Sequence, residues 1–225
     1  MRATFDEEIA DLHESFAAMG HMVSKNIKRA VDSFIEHDKA GAGKVIDYDP
    51  KINELEVQLE KTCFELIALQ QPVTSDLRRI VTVMKASSDL ERMGDHAVSI
   101  AKATIKVKGT TRVYEIEQAI DELANVVLEI VDQSLHAYRH EDEEEAITVA
   151  KMDDQVNELS HKIHKQIVVE MKKDADTILG NTYYMLVASY LERIGDYATN
   201  LCEWVVYLKT GKIVELNNNV RKDTV

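Results

Sequence analysis

Two short stretches carry the residues best able to do chemistry. Residues 90–97 read LERMGDHA and residues 191–198 read LERIGDYA, with Leu, Glu, Arg, Gly, Asp and Ala recurring in register. Glu91 and Asp95, and again Glu192 and Asp196, are four residues apart. On a helix each pair shares one face, about a turn apart, and two carboxylates so placed repel each other unless a cation or a basic group stands between them. Carboxylate oxygens suit hard or borderline cations such as Mg, Mn, Ca or Fe.

The surroundings separate these pairs from an ordinary solvated face. At about 100° per residue, Glu91 and Asp95 share a sector with the apolar Ile80, Met84 and Val98. Glu192 and Asp196 lie with Met185, and Asn200 follows one turn on, where the first copy has Ser99. Gly94 and Gly195 sit between the two acids of each copy. A glycine inside a helix costs about 1 kcal/mol relative to alanine, so its recurrence points to close approach of another helix or of a ligand. Arg92 and Arg193 are placed to pair with carboxylates of neighbouring helices. Asp49 and Asp153 are further candidate ligands from other helices. His96 faces Tyr197 in the repeat, which counts against a histidine ligand common to both copies. A single Glu-x-x-x-Asp says little; two copies in the same apolar setting leave a metal site or an anion-related site open.

The elements that must position these groups are helices. Eight glycines and two prolines in 225 residues leave few interruptions, which favours helices over a loop-rich all-β fold. The apolar residues Phe5, Ile9, Leu12, Phe16, Met19, Val23, Ile27, Ala30, Val31 and Phe34 recur mainly in steps of three and four, the period of one buried helical face. This predicts a first helix over 5–39, stopped by HDKAGAG with Gly41 and Gly43 as terminators. Asp49-Pro50 reads as the N-cap and first residue of a second helix, ending near Gln71-Pro72. Thr74 or Ser75 caps a third, which runs to Val107. The pattern then restarts: a helix over 114–138, one with Asp153 and Asp154 in its opening turn and ending near 174, and one over 176–210 closed by Gly211. The tail from residue 212 has little period and reads as loosely ordered.

These six helices form a repeat. Asn53-Glu54-Leu55 recurs 104 residues later as Asn157-Glu158-Leu159, and Asp49 maps onto Asp153 at the same offset. The acid motifs recur at an offset of 101, as a connection shorter by three residues would give. An internal repeat of three helices predicts an all-α fold of two tandem antiparallel three-helix bundles, one over 1–110 and one over 111–225, related by a pseudo-twofold axis.

Composition excludes several functions. The net charge of −13 gives no general attraction for nucleic-acid backbones. No apolar run is long enough to span a bilayer, and the acidic N-terminus does not read as a signal peptide, so a cytoplasmic location is expected. Cys63 and Cys202 lie in apolar helical sequence and read as buried thiols. There is no phosphate-cradling glycine loop, no Gly-x-Ser-x-Gly elbow and no His-Glu-x-x-His helix. Glu158 and His161 make a Glu-x-x-His, but the first half lacks its partner, so a paired diiron site is not supported. A metal-storing or metal-dependent carboxylate-bundle enzyme stays open as a reading of the acid pairs.

Three segments together resemble the PhoU family of phosphate-specific transport accessory proteins: LQQPVTSDLRRI (69–80), SDLERMGDHAVSIA (88–101) and YLERIGDYATNLCEWVVYLKTGK (190–212). The resemblance covers nearly the whole chain, including the duplicated three-helix plan. It implies a non-enzymatic, homodimeric negative regulator of phosphate uptake and of the phosphate starvation response. Such a protein links the ATPase of the phosphate transporter to a sensor histidine kinase. It works in the cytoplasm, recruited to the inner face of the membrane, without touching DNA. It also implies metal clusters, of iron, zinc or other divalent ions, held here by Glu91, Asp95, Glu192 and Asp196. Asp76 and Arg78 match a recurring family segment and are expected near the interface of the bundles as support for the site; Asn200, the family Asn present in the second half, is a further supporting residue. The family commonly has Asn where this chain has Ser99, and His where it has Tyr197, so the two sites should differ.

Overall fold

The computed structural model describes residues 2–107 and 109–216. Its helices are α1 (Arg2–Ile35), α2 (Lys39–Gln70), α3 (Thr74–Val107), α4 (Tyr114–His140), α5 (Glu143–Ala150), α6 (Asp153–Lys173) and α7 (Ile178–Thr210), with a short 3-10 turn at Ala175–Thr177. Among the described residues there is no strand, so the fold is all-α. The expected looseness of the tail falls mainly on residues 217–225, outside the described part. Before them, Leu216 packs on the core and its N–H donates to Glu203 Oε1 at 2.8 Å.

The apolar stripe of α1 is buried from Phe5 to Phe34. Its end is not made by the glycines. His37 adopts a left-handed φ of 54°, and Asp38 caps α2, accepting from the Ala40 N–H at 2.9 Å. Gly41 and Gly43 therefore lie inside α2. A Cβ on Gly41 would stand 2.5 Å from Ser33 Oγ and 2.6 Å from Asp38 Oδ2, so this glycine serves the tight α1–α2 corner.

Asp49-Pro50 is likewise not a helix start. α2 begins at Lys39 and runs through Pro50. Proline has no N–H to donate and crowds the carbonyl four residues back, so the hydrogen-bond ladder is interrupted beside Asp49. In the second half the chain breaks outright at the matching place. α5 ends at Ala150, a turn follows, and α6 opens with Asp153. Asp142 caps α5, accepting from the Glu145 N–H at 3.0 Å, 104 residues after Asp38. Thus α5 and α6 together are the counterpart of α2, and each half is a three-rod unit: α1, α2 and α3, then α4, α5–α6 and α7.

Within each half the three rods pack on one another, and the halves join where α3 lies along α7 and α1 lies against α4. One contiguous apolar core runs through both. At the α3–α7 seam His96 stacks on its repeat counterpart Tyr197, ring centroids 5.8 Å apart, and on Tyr190 at 5.7 Å. Equivalent residues in mutual contact place the pseudo-twofold axis there. Gly211 ends α7 as expected, with φ 73° and its N–H on the Tyr207 carbonyl at 2.8 Å.

Candidate metal centre

In the first half the acids come from two helices. α3 presents Glu91 and Asp95, and α2 presents Asp49, Asn53 and Glu56 at helical spacing. The glycine between the α3 acids lets α2 approach. A Cβ on Gly94 would stand 3.5 Å from Asp49 Oδ1 and 3.6 Å from Ile52 Cγ2. Asn53 Nδ2 donates to Asp49 Oδ2 at 3.2 Å and orients the carboxylate. The other oxygen, Oδ1, is buried and has no hydrogen-bond partner, a costly state for a carboxylate.

The carboxyls feel one another. Burial, then Asp95, pushes the Asp49 carboxyl above its ordinary range. Burial, then Asp95, Glu56 and Asp49, does the same to Glu91, against the pull of Arg92. Asp49, Glu56, Glu91 and Asp95 therefore form one electrostatic set.

The second half repeats the plan more tightly. A Cβ on Gly195 would stand 3.0 Å from Asp153 Oδ1 and 3.3 Å from Val156 Cγ1. Asn157 Nδ2 donates to Asp153 Oδ2 at 2.9 Å, as Asn53 does to Asp49. Asp153 is only 1% exposed. Asp196 is pushed up to about 6 by burial, then by Asp153 and Glu192, with Arg193 opposing. The counterpart of Glu56, at the 104 offset, is Ser160, whose hydroxyl donates to Glu192 Oε2 at 2.5 Å. So the first set has four carboxylates, and the second has three plus a serine that holds one of them.

The remaining expected residues fall elsewhere. Asn200 Nδ2 reaches Asp89 Oδ1 at 3.4 Å across the α3–α7 seam, where Trp204 Nε1 donates to Asp89 Oδ2 at 2.8 Å. Ser99 Oγ bonds the Asp95 backbone carbonyl at 3.0 Å. Arg78 lies between the halves, packed on Gly211 so closely that a Cβ there would overlap its guanidinium. Thirteen residues of helix put it about 20 Å along α3 from Glu91, too far to support the acids. Asp76 lies in the first turn of α3, where its charge suits the helix N-terminus. Arg92 and Arg193 are exposed and act on the acids of their own helices. Glu56 is the residue that sequence reasoning missed, although it follows Asp49 by two helical turns.

The donor chemistry fits a cation: converging carboxylates, an unpartnered buried oxygen on Asp49, and carboxyls of Asp49, Glu91 and Asp196 raised by burial and then by neighbouring acids. The side chains are not drawn together as ligands, for among the described residues no group of three His, Cys, Asp or Glu is placed to hold an ion.

Comparison with known proteins places this duplicated arrangement. The PhoU domain family matches residues 16–104 and 120–205, one copy on each half.

The chain belongs to the PhoU family.

The phosphate-specific transport system accessory protein PhoU homolog of Streptococcus pneumoniae serotype 4 is 36% identical over 217 residues, covering 96% of this chain and 100% of that protein. The PhoU homolog of Clostridium acetobutylicum is 37% identical over 218 residues, covering 96% and 99%. Among solved structures, the regulatory protein PhoU from S. pneumoniae superposes with a TM-score of 0.88 at 34% identity, covering 94% of this chain and 99% of that one. PhoU from Pseudomonas aeruginosa gives 0.87 at 32%, covering 92% and 100%.

Proposed function

We propose that this PhoU-family chain is a non-catalytic accessory regulator of phosphate homeostasis that lowers phosphate uptake and the phosphate starvation response when phosphate is ample. The observation that carries the reading is full-length kinship with phosphate-specific transport accessory proteins, with an acid motif in each half. In this reading the chain acts as a homodimeric adaptor. It contacts the ATPase subunit of the phosphate transporter and a sensor histidine kinase at the inner face of the membrane. No helix among the described residues is long and apolar enough to cross a membrane. Exposed apolar residues at the α2–α3 corner, Phe64, Leu69, Val73 and Leu77, suit contact with a partner.

The same reading assigns Asp49, Glu56, Glu91 and Asp95 to one cation site, and Asp153, Glu192 and Asp196 to another, for Fe, Zn, Mn, Mg or Ca. A bound cation supplies positive charge that removes the repulsion among these acids. The chain's part is to bring α2 onto α3, and α6 onto α7, across a glycine, and to aim Asp49 and Asp153 with Asn53 and Asn157.

The test is capture of the tagged chain from phosphate-replete cells, with mass spectrometry of partners and metal analysis of the same sample. The transporter ATPase and a histidine kinase should co-purify, and deletion of the gene should switch starvation genes on in high phosphate. Unchanged phosphate control in the deletion strain would overturn the reading.

A further inference from the structure

We propose that His136 and His140, at the α4–α5 corner, form a site for one borderline divalent transition-metal ion, distinct from both carboxylate sets. The two histidines are four residues apart in the last turns of α4, with ring centroids 4.3 Å apart. This is the helical spacing at which paired histidines bind zinc in other proteins. Glu145, from the first turn of α5, holds the ring of His136: Nδ1 lies 2.9 Å from both carboxylate oxygens.

That contact sets the tautomer. With the Nδ1–H donated to Glu145, the lone pair of His136 Nε2 is left facing outward for a metal, the arrangement in which a carboxylate backs a metal-binding histidine. Glu145 is itself fixed in place, because its backbone N–H is the one bound by the Asp142 cap at 3.0 Å.

Arg139 shares the last turn of α4 and lines the same cleft, but acidic groups outnumber it at this corner. The pair sits at the negative end of the α4 dipole, and the acidic Glu143, Glu144 and Glu145 open the next helix. His21 of α1 and Asp132 line the same cleft as His136, of about 360 Å³. Imidazole nitrogen selects Zn²⁺, Ni²⁺ or Cu²⁺ over Mg²⁺ and Ca²⁺. Two protein nitrogens are supplied, and water completes the coordination.

The test titrates the metal-free full chain with Ni²⁺ by calorimetry. His136→Asn with His140→Asn should remove one equivalent of Ni²⁺, and Glu145→Gln should weaken that equivalent by about 10–100-fold, as loss of an outer partner does. Both histidines are exposed, so circular dichroism of the variants should match that of the unmutated chain. A chain carrying Glu91→Gln, Asp95→Asn, Glu192→Gln and Asp196→Asn should keep the Ni²⁺ equivalent, which separates this site from the carboxylate sets. In the unmutated chain, paramagnetic Ni²⁺ should broaden the ring resonances of His136 and His140 first. Unchanged Ni²⁺ stoichiometry and affinity in the double histidine variant, or broadening that spares both rings, would overturn the proposal.

Discussion

Asp153 Oδ1 lies 3.0 Å from the point where a Cβ on Gly195 would be, while Asp49 Oδ1 lies 3.5 Å from the same point on Gly94. The half-ångström separates two outcomes for the same substitution. Alanine in a helix is favoured over glycine by about 1 kcal/mol. At Gly94 the methyl group meets ordinary contacts, so Gly94→Ala should raise the melting temperature of the metal-free chain. At Gly195 the methyl presses on a buried carboxylate and on Val156, which have little room to yield. Gly195→Ala should therefore melt below Gly94→Ala, by thermal denaturation followed by circular dichroism.

Asp196 tests whether the acids are kept for binding and not for stability. Asp196 is exposed, yet partial desolvation, then Asp153 and Glu192, push its carboxyl up to about 6, so its charge at neutral pH opposes folding by a small, solvent-screened amount. Asp196→Asn keeps the shape and removes the charge. In the metal-free chain it should raise the melting temperature at pH 7.5, and the same variant should bind less Mn²⁺. A variant that melted lower and bound Mn²⁺ as before would reverse the assignment.

The repeat and the acid pairs were legible because helical period and exact offsets survive in a single sequence. The start of α2 was not. Asp49-Pro50 satisfies the local pattern of a helix start, while the true cap, Asp38, stands before glycines that look like a stop. Only tertiary packing makes Gly41 a corner residue and lets Pro50 stay inside a helix. Glu56 was hidden for a different reason: its counterpart is Ser160, so a search for identical residues passes over it. Asn200 shares a helix with Asp196, but its direction is set by Asp89 across the seam, which no pattern within α7 reveals.

Glu117 governs acid stability. It is 2% exposed. Burial favours its neutral form, but hydrogen bonds from Arg112, Tyr184 and His37 outweigh this and hold the carboxyl below its ordinary 4.5. Tyr184 Oη donates at 2.6 Å and His37 Nε2 lies at 2.7 Å. A carboxyl depressed in the folded state contributes stability above its unfolded value and loses it as pH falls through the folded one. Glu117→Gln should cost about 2 kcal/mol near neutral pH, in the range for hydrogen bonds to a charged group. It should also flatten the decline in stability below pH 4.5, measured by urea denaturation.

Glu56 and Ser160 set the difference between the two carboxylate sets. Glu56 adds a fourth negative charge beside Glu91, whereas Ser160 adds none and holds Glu192 by a 2.5 Å hydrogen bond. More carboxylate oxygens favour more cation charge and a higher coordination number. Glu56→Ser should therefore lower the metal-to-protein ratio of the first half, making it resemble the second, and Ser160→Glu should raise that of the second. Ser160→Ala keeps the charge and removes only the hydrogen bond that aims Glu192. It should weaken binding there by about 10–100-fold, as loss of an outer partner does, without changing stoichiometry at saturation. Metal analysis after dialysis, paired with Mn²⁺ titration, reads both. Equal ratios across all three variants would show that the asymmetry has no bearing on metal content.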